Sequence, residues 1–350
     1  MVSRPRLDQD ALPLGMQPRT VFVTGKGGVG KSTVSAALAQ AWRDAGARTL
    51  LVEIEGQASA AALISSKQIG YQPVPLAEHL AAMRITLNDA LREYARMRLK
   101  VKLVADRLVG NPIIDQFAQA APGFRELLVL GKLWALARET DDRGRPRWDA
   151  IVVDSPATGH GLGLLGMAGV IARMFPVGPI SGEAKAVDAF VKDPERVGVV
   201  LVALPEELPV TETLELRDQL EDREVSVAAT VVNGLLVDRF TAKEARAAEK
   251  LAADDSLDPD VRHALDTVSW ERQRCEDQAA ERARLEAGMA DVPSGLLPYM
   301  FAPQLEREHV AGLARWLTLS GQAVLEAQLA GAPDGPAAAA AVHAAAGGAG

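Results

Sequence analysis

The chain has 350 residues, 48% hydrophobic and 24% charged, with a formal net charge of −8. This composition is ordinary for a globular protein, the length allows a sizeable core, and the acidic balance with dispersed basic residues argues against nucleic acid as a partner. The single cysteine, Cys275, excludes an internal disulfide and any zinc site built from two cysteines of one chain, and it fits a reducing cytoplasm.

Residues 1–18 mix arginines, acids and prolines without a continuous apolar run, so they read as a loose arm and not as a signal peptide. The run Thr20-Val21-Phe22-Val23-Thr24 predicts a buried strand, and a helical pattern extends from Lys31 to Ala45. Between and overlapping them lies Gly25-Lys26-Gly27-Gly28-Val29-Gly30-Lys31-Ser32-Thr33. A strand, a glycine-rich turn and a helix start in this order aim a row of backbone N–H groups at a nucleotide's phosphates, at the positive end of the helix dipole. Lys31 is then placed to reach the β- and γ-phosphates of ATP, and the Ser32 hydroxyl to hold Mg²⁺.

Arg48 to Ile54 predicts a second buried strand, ending near Glu55-Gly56. Strands alternating with helices at this spacing predict an α/β fold, a doubly wound and mostly parallel sheet whose ligands lie at the carboxyl ends of the strands. Glu53 and Glu55 therefore fall near the phosphates, where either one can orient an attacking water. A third short strand is expected over residues 84–87 and a helical insertion over about 89–141. The first insertion helix carries Arg92, Arg96, Arg98, Lys100, Lys102 and Arg107, which reads either as a solvated face or as a surface for an acidic client or anionic headgroups.

Trp148 to Asp154 predicts a strand that delivers Asp154 opposite the glycine loop, where a carboxylate holds a Mg²⁺-bound water. In the following Ser155-Pro156-Ala157-Thr158-Gly159-His160, Gly159 can offer a backbone N–H to the γ-phosphate. Glycines 161, 163, 166 and 169 recur among large apolar residues, which suits close helix packing or a face for a client. Residues 197–204 and 226–233 predict two more strands, the second ending at Asn233, whose amide can read an adenine edge. Residues 261–288 predict a long, charged, solvated helix, Leu296 to Met300 a last strand and a loop over the base, and residues 312–328 a final helix. The stretch 331–350 is almost wholly Ala, Gly and Pro and reads as a disordered tail, which leaves residues 19–330 as one domain.

Lys26, directly after the first glycine, makes the loop resemble the deviant Walker A motif of P-loop ATPases related to MinD, ParA, nitrogenase iron protein and ArsA. The resemblance implies that Lys26 acts in trans on a partner's nucleotide. Asp154 to His160 resembles the second switch of the ArsA and tail-anchored-protein-targeting ATPases, so the chain is identified as similar to that family over residues 20–330. The family implies Mg²⁺-dependent ATP hydrolysis coupled to opening and closing of a homodimer, or of a heterodimer with a related subunit, on behalf of a client or membrane-protein partner. It also implies that Glu55 stands where an aspartate positions water, that His160 steadies the switch by hydrogen bonding, that Glu206 meets nucleotide or partner subunit, and that Asn233 and the loop at Pro298 hold the base. Glu55-Gly56 replaces the family's Asp-Pro, and the cysteine clusters of arsenite-binding and zinc-clamped members are absent.

Overall fold

The computed structural model describes residues 12–17, 19–54, 60–99, 123–155, 158–174, 177 and 179–330. Among the described residues eight strands form one sheet in the order β3-β4-β2-β5-β1-β6-β7-β8. They are β1 (Thr20–Thr24), β2 (Thr49–Ile54), β3 (Val74–Ala77), β4 (Leu80–Ile85), β5 (Ala150–Asp154), β6 (Val197–Ala203), β7 (Val227–Leu235) and β8 (Ser294–Pro298). Every neighbouring pair is parallel except the β3 and β4 hairpin. The expected α/β, doubly wound, mostly parallel sheet is therefore the observed one.

Strands β1, β2, β5 and β6 are buried along their whole lengths, because helices cover both faces of a parallel sheet and a strand there has no wet side. That explains why they read in sequence as mostly apolar runs, with Glu53 of β2 and Asp154 at the end of β5 the buried charged exceptions. The hairpin was not expected. β3 reads Val-Pro-Leu-Ala and alternates half-buried with exposed residues, the pattern of an edge strand that tolerates proline. The third strand expected at residues 84–87 lies earlier, over Leu80–Ile85, because Thr86 and Asp89 start the next helix: the Thr86 hydroxyl bonds Asp89 Oδ2 at 2.7 Å and accepts from the Asp89 N–H at 3.1 Å.

Helix α1 (Lys31–Asp44) buries Val34, Leu38 and Trp42 along with alanines 36, 37, 39 and 41. The alanines let its backbone lie close to the sheet, and Trp42, fully buried, anchors it, an aromatic whose loss would typically cost about 3–5 kcal/mol. The expected insertion is represented by α2 (Leu87–Leu99) and α3 (Phe124–Arg138), which meet through an edge-to-face contact of Tyr94 with Phe124 at 6.5 Å. Arg92 and Arg96 are exposed, while the side chains of Arg98, Lys100, Lys102 and Arg107 lie outside the described residues.

The glycine-rich helix is α4 (Thr158–Met174), and α5 (Pro179–Lys192) packs on it. A methyl group at Gly169 would stand 2.6 Å from Asp188 Oδ1 of α5, and one at Gly166 would stand 3.2 Å from the Arg223 side chain. Both glycines thus serve close packing, although Val170 and Met174 stay exposed.

The C-terminal half adds α6 (Glu207–Glu221), α7 (Ala242–Ala252), the 30-residue α8 (Pro259–Gly288), α9 (Arg307–Trp316) and α10 (Leu319–Ala330). The single final helix expected at 312–328 is two helices, separated at Leu317 and Thr318. α8 is more than a solvated helix. Its Glu271 and Gln278 are buried, and the Gln278 amide accepts from Leu236 N–H at 2.8 Å and donates to Gly234 O at 3.3 Å, fixing the exit of β7.

The loose arm expected for residues 1–18 is corrected over residues 12–17. Leu12, Leu14 and Met16 are buried, Leu14 N–H bonds Leu317 O at 2.8 Å, and Pro13 bridges Thr318. Leu14 and Gly15 hold φ 51° and 67° in a turn closed by Gly15 N–H to Leu12 O at 3.2 Å and Met16 N–H to Pro13 O at 2.9 Å, so no helix or strand period marks these three apolar side chains in the sequence. Residues 1–11, and the tail expected at 331–350, lie outside the described residues.

Candidate functional site

β1 sits between β5 and β6 with all three strands parallel, so the loop after β1 opens at the carboxyl edge where the chain's connections diverge to either side. Such a switch point is where open α/β sheets leave a crevice. The loop's glycines are dictated by crowding at two positions. A Cβ on Gly25 would meet Val202 O at 2.2 Å, and one on Gly30, which holds φ 89° at the cap of α1, would meet Asn233 Nδ2 at 2.3 Å. Val29 is buried beneath the loop, while Gly27 and Gly28 are exposed.

Lys31, the first residue of α1, folds back over the loop and donates from Nζ to Lys26 O at 2.8 Å. Burial depresses its pKa below the ordinary lysine value, opposed by the nearby Asp154 carboxylate. Ser32 donates from Oγ to Asp154 Oδ2 at 2.7 Å, and Ser35, one turn on, donates to Asp154 Oδ1 at 3.1 Å. Thr33 is half-buried in the same turn.

Asp154 ends β5 and is 1% exposed. Burial pushes its carboxyl up to about 6, and Glu53 adds to the rise, against the lowering effect of Ser32, Ser35 and Lys31. A buried carboxylate flanked by a hydroxyl is a hard-oxygen donor pair, and its charge lacks enough positive compensation from the protein alone. Both properties fit Mg²⁺.

Glu53, on β2 beside Asp154, is 1% exposed and committed to the fold: it accepts from Ala61 N–H at 2.8 Å and from Arg84 Nη2 at 2.8 Å and Nε at 3.2 Å. Glu55 lies outside the described residues, as do the Pro156 and Ala157 that follow Ser155; Gly159 falls in the first turn of α4, and the His160 side chain is likewise outside them.

Lys26 does not point into empty solvent. Its Nζ meets Glu212 Oε1 at 2.7 Å, with the two side chains about one-third exposed. Asn233, inside β7, donates from Nδ2 to Val29 O at 2.9 Å, so a strand two places from β1 holds the glycine loop by its backbone. Glu206 precedes α6 at the end of β6, with Arg274 3.8 Å from its carboxylate. Pro298 ends β8 beside Leu235, and the exposed Tyr299 and Phe301 follow it edge to face at 4.9 Å.

The structure thus gathers Lys26, Lys31, Ser32, Asp154 and Asn233 around one loop and sets Glu206 and Pro298 at the ends of neighbouring strands. Sequence reasoning missed Ser35, Glu212, Arg84 and Gln278. Only Ser35 left a usable signal, since it lies three residues after Ser32 and so on the same helix face.

A family model for anion-transporting ATPases matches residues 18–178 and 179–258 of the chain. ATPase BagA of Mycobacterium tuberculosis is 32% identical over 220 residues, which are 61% of this chain and 64% of that protein. An arsenical pump-driving ATPase of Escherichia coli is 31% identical over 297 residues, 79% of this chain and 46% of the relative. A putative arsenical pump-driving ATPase of Aquifex aeolicus is 26% identical over 249 residues, 62% of this chain and 80% of the relative. The chain therefore spans less than two thirds of the length of the mycobacterial relative and under half of the Escherichia coli one.

Proposed function

Since the chain belongs to the anion-transporting ATPase family, we propose that it binds ATP with Mg²⁺ at the Gly25 to Thr33 loop and hydrolyses it. The observation that carries this reading is the Ser32 to Asp154 pair, 2.7 Å apart and joined to a buried carboxyl raised to about 6, beneath a loop whose glycines leave its backbone accessible. Mg²⁺ supplies neutralisation of the β- and γ-phosphate charge.

The protein's own groups do the positioning. N–H groups of the loop cradle the phosphates, and Lys31 gives up its bond to Lys26 O to meet the γ-phosphate. With Glu53 tied to Arg84, the carboxylate left to orient the attacking water is Glu55. Gly159 offers its N–H to the γ-phosphate, His160 steadies this switch, and Asn233 and Pro298 border the base. Lys26 exchanges Glu212 for the nucleotide of a second subunit, so that hydrolysis accompanies the opening and closing of a dimer in which Glu206 meets the partner subunit. The dimer drives a client or membrane-protein partner. Among the described residues no helix is long and apolar enough to cross a membrane; we place the chain in the cytoplasm.

A second reading, ATP-dependent assembly without turnover, rests on Glu55-Gly56 standing where the family has Asp-Pro. Light scattering with Mg²⁺ and either ATP or ADP, with phosphate release followed in the same sample, separates the two. A mass increase with phosphate release supports hydrolysis, and a mass increase without it supports the assembly switch. Lys31→Ala is expected to abolish both signals, and normal turnover in that variant overturns the assignment.

A further inference from the structure

Strand β7 departs from regular pairing at Asn233 and Gly234. It stays in register with β6 as far as Val232, opposite Ala203, and its register against β8 shifts between Val232 and Leu235. Gly234 holds φ 78°, a conformation that glycine adopts without steric cost. A local irregularity of this kind re-aims the side chain it carries. Here that side chain is Asn233, and it lies against the glycine loop: its Nδ2 donates to Val29 O at 2.9 Å, and a Cβ on Gly30 would meet the same nitrogen at 2.3 Å.

The backbone just beyond Asn233 is braced from α8. Gln278, buried, accepts from Leu236 N–H at 2.8 Å and donates to Gly234 O at 3.3 Å. One amide of α8 therefore fixes the stretch that presents another amide to the loop.

The bond to Val29 O fixes a whole peptide unit. The peptide between Val29 and Gly30 is trans, and in a trans peptide the C=O and the following N–H point in opposite directions. With Val29 O held on Asn233, the Gly30 N–H is aimed away from that side chain. Gly28 and Gly30 also hold positive φ, 88° and 89°, and left-handed residues of this kind help to build concave sets of N–H donors that take anions. Were the peptide to flip, it would offer an anion its carbonyl oxygen in place of its N–H.

We propose that Asn233 is a positioning residue for phosphate binding, which keeps the N–H of Gly30 turned toward the ligand, and that Gln278 in turn holds Asn233. This rests on the ATP reading above and extends it, because the resemblance gives Asn233 to the base. An amide whose donor is spent on Val29 O acts on the phosphates whatever base is attached to them.

Calorimetric titration of the full chain in Mg²⁺, with the non-hydrolysable β,γ-imido analogue of ATP and separately with inorganic tripolyphosphate, tests this. Tripolyphosphate carries the phosphates and no base. Asn233→Leu keeps the shape and removes the donor, and Asn233→Ser leaves a hydroxyl too short to reach Val29 O. Each is expected to weaken both ligands by a similar factor of about ten, the scale of leaving one partly buried carbonyl unpaired. Gln278→Leu is expected to weaken both by a smaller factor, and adding it to Asn233→Leu to cause no further loss. The affinities are compared at a temperature where every variant is folded, so that lowered stability alone leaves them unchanged. A weaker ATP analogue with unchanged tripolyphosphate would assign Asn233 to the base and overturn the proposal. Tripolyphosphate that fails to bind the unmodified chain while the ATP analogue binds would overturn it as well, and additive losses in the double variant would overturn the part given to Gln278. An unmodified chain that binds neither ligand would instead overturn the ATP reading itself.

Discussion

Asp154→Asn should make the nucleotide-free protein more stable while disabling it, and pH should set the size of the effect. Burial lifts the carboxyl from 3.8 to about 6, and each unit of difference between folded and unfolded chains is worth about 1.4 kcal/mol. The ionised side chain therefore costs the fold about 3 kcal/mol at neutral pH. The folded pKa is the higher of the two, so the contribution to stability is whole below 3.8 and is lost as pH rises through about 6. Applying the same linkage between pH 5 and pH 8 leaves a loss of about 1.4 kcal/mol. Asparagine has nearly the same shape, stays neutral, and still meets the Ser32 and Ser35 hydroxyls, which can rotate to donate or accept.

Urea unfolding of both proteins without nucleotide or metal, at pH 5 and pH 8, measures this directly, and the difference between them cancels the carboxylates they share. The variant's relative stability should be about 1.4 kcal/mol greater at pH 8 than at pH 5. Saturating ATP and Mg²⁺ should then reverse the order, because a ligand at a thousand times its Kd adds about 4.1 kcal/mol to the protein that binds it, more than the cost of about 3 kcal/mol. A difference that does not change between the two pH values would refute the claim that burial dominates at Asp154.

Three further substitutions probe the surroundings. Arg84→Met leaves Glu53 with the Ala61 N–H as its remaining partner named above; because Arg84 is itself 38% exposed and water can replace part of it, the expected loss is about 2 kcal/mol by urea unfolding, with Glu53→Gln restoring part in the double variant. Glu212→Gln releases Lys26 from an ion pair that is one-third exposed and so worth at most about 1 kcal/mol. The concentration for ATP-induced association should fall by up to about fivefold, and a rise would show that Glu212 assists association instead. Gly25→Ala forces a methyl group to 2.2 Å from Val202 O, a backbone atom held in the sheet; destabilisation of at least about 2 kcal/mol is expected, and a wild-type Tm would mean that the loop can move off β6.

The sheet's parallel centre was readable because strands buried on both faces are mostly apolar, and the loop after β1 because its glycines stand where Val202 O and Asn233 Nδ2 leave no room for a Cβ. The meeting of Ser32 with Asp154 was readable as placement, because a helix start and a strand end at the same sheet edge bring the two side chains to 2.7 Å. Partner choice was not. Lys26 carries no mark in the sequence of its pairing with Glu212, 186 residues away, and Asn233 carries none of the bond from its amide to Val29 O across the glycine loop. Glu53 and Glu55 are alike in sequence; only the register of β2 against β4, which pairs Glu53 with Arg84, separates them. The packed segment at residues 12–17 was hidden because its partners, Trp42, Gly295 and Leu317, are distant in the chain.

That segment also sets an order of events when the chain is made. The carbonyl of Leu317 that receives the Leu14 N–H and the strand residue Gly295 against which its side chain rests are translated some three hundred residues after it. At roughly 5–20 residues per second, the early residues wait on the order of 15–60 s for the atoms that bury them. Until then Leu12, Leu14 and Met16 are greasy and unhoused, and the outer strand β8 has not yet been made. A chain cut short before Leu317 would lack the carbonyl that fastens Leu14, so a lesion there would also be felt some three hundred residues upstream.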